Sequence, residues 1–379
     1  PLFHAHAGIR DLDSSLVGSE MCIRDRPRDE RSTTIAGAAT WTFRNGDVAN
    51  FNVQVEDGDE DNRRTTISTL TGSTETETAL ESEVADELEW EIGGDIENHI
   101  GNGSLETRLI FTNSEMDGTE MISQISNITN IPDEALVTLD RQDTESIIRS
   151  SYTWDVRASH TLELGAEGAR NTLDQFTRLF ERLPDGSLVE IDVFNADTEV
   201  VEDRYEAFGT HYWTMGSDTV LETGLNYEYS RIEQSGVDVS NSRSFTYLKP
   251  RFDFRWNRTE RDQVRATLER TVSQLDFSDF VANYDGREDQ IEGGNPELEP
   301  ERAWEWQLTY EHRLVQDKGV VSARLFYNDI EDHIARIETT DGNAGPCNIG
   351  DAEHWCVEFK GSFRMDCVGL EGAVIDVVY

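Results

Sequence analysis

Ala303-Trp-Glu-Trp-Gln-Leu-Thr-Tyr-Glu-His-Arg-Leu314 alternates strictly. Trp304, Trp306, Leu308 and Tyr310 share one parity, while Glu305, Gln307, Thr309, Glu311 and Arg313 share the other. Successive side chains of a strand point to opposite faces, so this repeat separates an aromatic face from a charged one. The next run, Val321-Ser-Ala-Arg-Leu-Phe-Tyr327, places Val321, Ala323, Leu325 and Tyr327 together, and Val315-Gln-Asp-Lys-Gly319 between the two has the composition of a hairpin turn. Similar alternation recurs at Leu88–Ile92, Leu105–Phe111, Leu221–Tyr229 and Arg251–Asn257.

Short turns, at Asn45-Gly46, Gly101-Asn102-Gly103, Gly216-Ser217-Asp218 and Asp317-Lys318-Gly319, alternate with long polar stretches. These lie around 112–150, 183–200, 232–243, 275–302 and 339–353. Short turns at one end and long loops at the other are the pattern of a transmembrane β-barrel. A soluble sandwich has shorter, more even connections. The expected fold is all-β, an antiparallel transmembrane barrel wall of about 14 strands at roughly 25 residues per strand and connector. Helical periodicity is nearly absent, with one turn expected at Asp276–Ala282.

Composition agrees. The chain has 379 residues, 33 basic against 76 acidic, for a net charge of −43. A nucleic-acid partner is excluded, because displacing counterions from phosphate needs a basic surface. No apolar run reaches the ~18 residues of a membrane-spanning helix, but barrel strands, apolar only at alternate positions, average out as polar. The 8 Trp, 10 Tyr and 16 Phe, mostly inside alternating runs, speak against a disordered acidic chain.

A further succession sharpens the reading. Leu248-Lys-Pro-Arg-Phe-Asp-Phe-Arg-Trp256 is followed by Gln263–Phe280, then by Gly294-Asn-Pro-Glu-Leu-Glu-Pro-Glu301, the Trp304 strand, and Phe326-Tyr-Asn-Asp-Ile-Glu-Asp-His-Ile334. This ordered set resembles the C-terminal barrel half of TonB-dependent outer-membrane receptors, and the resemblance extends over roughly residues 36–379. It implies a bacterial outer-membrane location and active uptake of a scarce nutrient such as an iron chelate, cobalamin or an oligosaccharide. It implies as partners TonB and the inner-membrane energising complex, acting through a plug domain inside a 22-stranded barrel, with lipid around the wall. Nothing in the chain resembles the plug, and Ile375–Tyr379 ends in mid-alternation, so a barrel fragment is expected. The motif residues Asn295, Pro296, Leu298, Pro300 and Glu301 are expected to be structural. Two prolines fix φ and remove two donors, which keeps the segment out of a ladder.

Residues 14–26, SSLVGSEMCIRDR, resemble the translated read-through of a sequencing-library adapter. Residues 1–26 are therefore expected to be foreign to the natural protein, leaving 27–379 as the barrel domain. Two alternatives use the same strands: a plugless porin-like barrel, and a secreted all-β carbohydrate-binding or carbohydrate-cleaving protein.

No catalytic residue, metal ligand or cofactor is expected. The chain has no Cys-x-x-Cys, His-Glu-x-x-His, Gly-x-Ser-x-Gly or phosphate-loop spacing. Asp57-Gly-Asp-Glu-Asp61 fails the calcium-loop pattern at Asn62 and Ser68 and reads as a solvated acidic loop. Acidic pairs such as Glu89 and Glu91 are expected to line a wet lumen. His99, His160, His211, His312, His333 and His354 are expected to stand singly. Cys347 and Cys356 flank a loop and are open to two readings, a disulfide or free thiols.

Overall fold

In this computed structural model, the residues described are 21–25, 28–69, 74–193, 195–237, 239–285, 290–292, 294–338, 344–370 and 372–379. The alternating segments form antiparallel strands throughout. In chain order they are β1 (Met21–Asp25), β2 (Arg28–Thr42), β3 (Val48–Thr69), β4 (Thr76–Ile100), β5 (Gly103–Ser126), β6 (Pro132–Arg157) and β7 (His160–Arg182). There follow β8 (Leu188–Ile191), β9 (Asp197–Met215), β10 (Thr219–Gly236), β11 (Ser240–Asn257), β12 (Asp262–Val272), β13 (Asn283–Asp285) and β14 (Gln290–Glu292). The last are β15 (Arg302–Arg313), β16 (Gly319–Glu331), β17 (Ile334–Glu338), β18 (Ala344–Asn348), β19 (Ala352–Arg364) and β20 (Val374–Val378).

One sheet holds 16 of these strands, fourteen of them along a single hydrogen-bonded path; β2 lies beside β1 on the β3 edge, and β8 is a flap on β7. Among the described residues no ladder joins β20 to β1 or β2, so the sheet is open. The remaining pairs, β13 with β14 and β17 with β18, are small hairpins in the loops.

Register carries the alternation from strand to strand. Leu221, Phe254, Ala266, Leu308, Leu325 and Val357 stand side by side on six consecutive strands. Leu308 and Leu325 are each 48% exposed, as a face against lipid must be and a face against water would not be. Aromatic residues bound this belt: on β9, Trp213 lies near the short turn and Tyr205 eight residues higher, both exposed. At ~3.3 Å per residue that is about 26 Å along the strand, the order of the ~25 Å apolar band of outer-membrane barrels.

The turns at the belt end are tight. Gly46 and Gly101 adopt φ of +91° and +65°, which a side chain would strain. At the other end the structure departs from expectation. The stretch 112–150 is not a long loop: β5 continues to Ser126 and β6 begins at Pro132. Likewise 232–243 belongs to β10 and β11 apart from a short turn. Asp57–Asp61 is no loop either but the middle of β3, paired with β2 and β4. The physical reason is common to all three. Above the membrane both faces of a strand meet water, so both become polar and the apolar alternation that marks a strand fades. Residues 339–343 of the last expected loop lie outside the described residues. Met21–Asp25, expected to lie outside the fold, pairs with Thr65–Thr69 of β3.

Candidate functional site

The face opposite the lipid belt is polar and charged. On β4, residues Glu81, Glu83, Glu87, Glu89, Glu91, Asp95 and Glu97 have one parity, and Leu80, Val84, Leu88 and Ile92 the other. Neighbouring strands supply counter-charges to part of this column and to their own acids. Arg64 reaches Glu81 at 2.6 Å, and Glu167 holds both Arg149 at 3.0 Å and Arg204 at 3.3 Å. Lys249 lies 2.6 Å from each of Glu206 and Glu228. Glu202 is buried and accepts from Ser230 Oγ at 2.6 Å and from Asn171 Nδ2 at 3.3 Å. Charge-assisted bonds of this kind hold a lumenal wall rigid while leaving it wet.

Residues 273–282 and 294–301 do not rise away from the wall; they fold back onto it as a strap. Asp276 caps a single 3-10 turn, Phe277–Phe280, in the place where one helical turn was expected. Leu275, Phe277, Phe280, Val281 and Leu298 then pack on Leu173, Val200 and Ile232 of the lumenal face. Two wall amides fix the strap's backbone: Gln234 Nε2 donates to the Phe280 carbonyl at 2.9 Å, and Gln175 Nε2 to that of Ala282 at 3.1 Å. Neither glutamine was singled out from sequence. Gln175 lies 107 residues from its partner, and no local pattern records such a contact.

The Asn295–Glu301 motif forms the second half of the strap. Asn295 Oδ1 accepts from the Glu297 amide at 2.9 Å, and its Nδ2 donates to the Pro346 carbonyl at 2.9 Å. The Pro296 carbonyl accepts from Asn241 Nδ2 at 2.9 Å, and the Leu298 carbonyl from Arg243 Nη1 at 3.0 Å. The Leu298 side chain is fully buried, and Pro300 is buried beside it. Glu301 Oε1 accepts from the Ile334 amide at 2.6 Å and lies 2.6 Å from His333 Nδ1. One seven-residue motif thereby ties together β11, the β17–β18 hairpin and His333 in the link between β16 and β17.

Between the strap and the wall of β4 to β7 lies a cavity of about 260 Å³ lined by Glu89, Arg141, Asp143, Glu145, Asn171 and Asp276, among others. Arg141 is engaged by Asp143 at 2.6 Å. Glu89 was anticipated as a lumenal carboxylate; Glu145 was not, since it sits where a loop was expected, and Asn171, in β7, was not singled out from sequence.

The other singled-out residues do not assemble a site. Cys347 and Cys356 are both free thiols. His160 and His211, expected to stand singly, meet across β7 and β9 with Nδ1 and Nε2 2.9 Å apart and their rings stacked. His312 Nδ1 lies 2.7 Å from Asp262, and His99 lies beside Asp47. Among the described residues no group of three or more His, Cys, Asp or Glu side chains has the arrangement to hold a metal ion.

A lipid-facing belt, a charged inner face and short turns at one end define the wall of an outer-membrane β-barrel. The sequence pattern of the family described as "TonB dependent receptor-like, beta-barrel" matches residues 24–375, and the chain belongs to that family, whose members are outer-membrane transporters rather than enzymes. No curated protein matches the sequence. Among solved structures it is similar to the ferric-catecholate import receptor Fiu from K12 E. coli, with a TM-score of 0.53 and 11% identity over 93% of this chain and 65% of that one. It is also similar to the siderophore receptor PiuA from Acinetobacter baumannii, with a TM-score of 0.53 and 10% identity over 90% and 60% of the two chains. The copper transporter OprC aligns with a TM-score of 0.50 and 12% identity over 96% and 62%. At these identities the likeness is one of fold. The chain spans about two thirds or less of each.

Proposed function

We propose that this chain is the barrel wall of a TonB-dependent active transporter that takes up a scarce nutrient, an iron chelate, cobalamin or an oligosaccharide, across the outer membrane. The observation that carries the reading is the family match over nearly the whole wall, joined to a lumen narrowed by a docked strap. On this reading the energy comes from the inner-membrane complex through TonB and a plug. The Asn295, Pro296, Leu298, Pro300 and Glu301 motif serves the strap's architecture, a role supported by its bonds to three neighbouring elements. Residues 1–26 are read as foreign to the natural protein and 27–379 as the barrel domain. Support is mixed, since the family match begins at residue 24 while Met21–Asp25 pairs with β3.

The test is uptake of labelled nutrients by cells carrying the full-length protein, with and without TonB. Uptake that vanishes without TonB is the expected result. Uptake that persists unchanged would replace this reading by the passive, porin-like one.

A further inference from the structure

The lipid-facing belt is not evenly filled. In the row that runs through Leu308, Ala266 of β12 stands between Phe254 of β11 and Leu308 of β15. In the next row up, Leu268 stands between Phe252 and Trp306. Two bulky ridges thus flank a lower strip along β12, and the trough between them has a volume of about 360 Å³. The ridges are two strand spacings apart, roughly 10 Å from backbone to backbone. An α-helix with its side chains is about 10–12 Å across and cannot sink between them, whereas a single hydrocarbon chain can. Left unfilled, the trough would forfeit dispersion contacts along its whole lining.

The foot of the trough is polar. Four residues below Ala266, about 13 Å along the strand, Asp262 accepts from the Tyr310 hydroxyl at 2.7 Å and from the Thr259 hydroxyl at 2.6 Å, with His312 Nδ1 at 2.7 Å. These bonds occupy the Asp262 carboxylate and fix the Tyr310 ring at the lower end of the β15 ridge. The turn just beyond carries Arg258, Glu260 and Arg261, all exposed and, among the described residues, without an ion pair. Arg258 is near enough to the Tyr310 hydroxyl to act on it electrostatically, which places this guanidinium at the foot. Short turns of outer-membrane barrels lie on the periplasmic side, at the level of the lipid headgroups. Two guanidiniums suit a phosphate diester, and the Glu260 carboxylate between them in sequence suits an ammonium, so the foot complements a zwitterion.

We propose that the trough on β12 holds one phospholipid of the periplasmic leaflet, its acyl chain over Ala266 and its amine-bearing phosphate headgroup at Arg258, Glu260 and Arg261. Lipid tails are as apolar as the belt itself, so burial alone favours no particular lipid. The preference comes from the fit of one chain between the ridges and from charge-assisted bonds at the foot. The site is separate from the lumen and stands whether or not uptake requires TonB.

The test uses the purified full-length protein in detergent, mixed with equal amounts of phosphatidylethanolamine and phosphatidylglycerol and followed by native mass spectrometry. One phosphatidylethanolamine per barrel is expected to remain after other lipids are stripped. Ala266→Phe, which fills the trough, should lower the retained fraction roughly tenfold, and Arg258→Gln combined with Arg261→Gln should do the same by removing the phosphate contacts. Ala207→Phe, the same change beside Tyr227 on the lipid face of β9, should retain the lipid as the parent does. Should Ala266→Phe fail to fold, the arginine variant decides alone, since its exposed side chains have no partner to lose. The proposal is overturned by the absence of a retained lipid, by phosphatidylglycerol, lipopolysaccharide or detergent in its place, by undiminished retention in either variant, or by equal loss in Ala207→Phe.

Discussion

Leu298 shows how one side chain can hold an element. It is fully buried among Leu173, Val200, Ile232 and the strap's own phenylalanines, while prolines on either side at 296 and 300 keep its backbone out of any ladder. Leu298→Ala should cost about 2–5 kcal/mol, the usual range for a buried leucine. The loss should appear as faster proteolysis of 273–301 and a lower melting temperature; a variant unchanged in both would show that the strap does not depend on this contact. A gentler case is Asp185, in the exposed turn before β8. Hydrogen bonds from the Ser187 hydroxyl and amide hold its carboxyl below the usual carboxylate range. A depressed pKa stabilises the folded turn above the ordinary value of about 3.9, and that contribution is lost as pH falls through the lowered folded value. The Ser187 amide resonance should therefore titrate below the ordinary range, and a midpoint at or above it would contradict the bond.

The strands are longer than a bilayer requires. β6 has 26 residues, whereas a tilted barrel strand needs about 9–11 to cross. The surplus rises above the belt as a two-sided polar wall. There, Asp59, Asp86, Asp117 and Asp140 stand side by side on β3 to β6, a row of like charges that costs stability wherever water and counterions do not screen it. The boundary between the two zones is testable. Leu308→Arg, at mid-belt on β15, should destabilise the folded barrel by about 2–4 kcal/mol. Thr138→Arg, on the overhang of β6 close to Asp117 and Asp140, should be tolerated. Denaturant melts in lipid bilayers compare them, and equal losses would mean that the belt is misplaced.

At the scale of the molecule the open sheet dominates. Among the described residues β2 and β20 each pair on one side only, and all their residues are exposed. Bare strand edges pair with whatever strand they meet. The 379-residue chain refolded alone in micelles should form mixed higher species by light scattering. A single monomer with every edge amide protected from exchange would refute the open edges. The same geometry explains how small the core is. One sheet is one layer, so its apolar residues face lipid, and among the described residues buried clusters form where the strap, and the segment around β8 with Val193, supply a second layer.

The amino-acid sequence by itself determined the strand periodicity, the apolar belt, the turn end and the family, because side-chain parity and φ-restricting residues are local properties. It also marked Glu89 and Glu91 as lumenal and Asp276–Ala282 as a single helical turn. It did not place the upper strands, whose two wet faces erase the alternation, nor pair His160 with His211. The strap's seat and the cavity beneath it were decided only by the tertiary structure. Gln175, Gln234, Glu145 and Asn171 acquire their roles from neighbours brought together by register across several strands, and register is a property of the whole sheet.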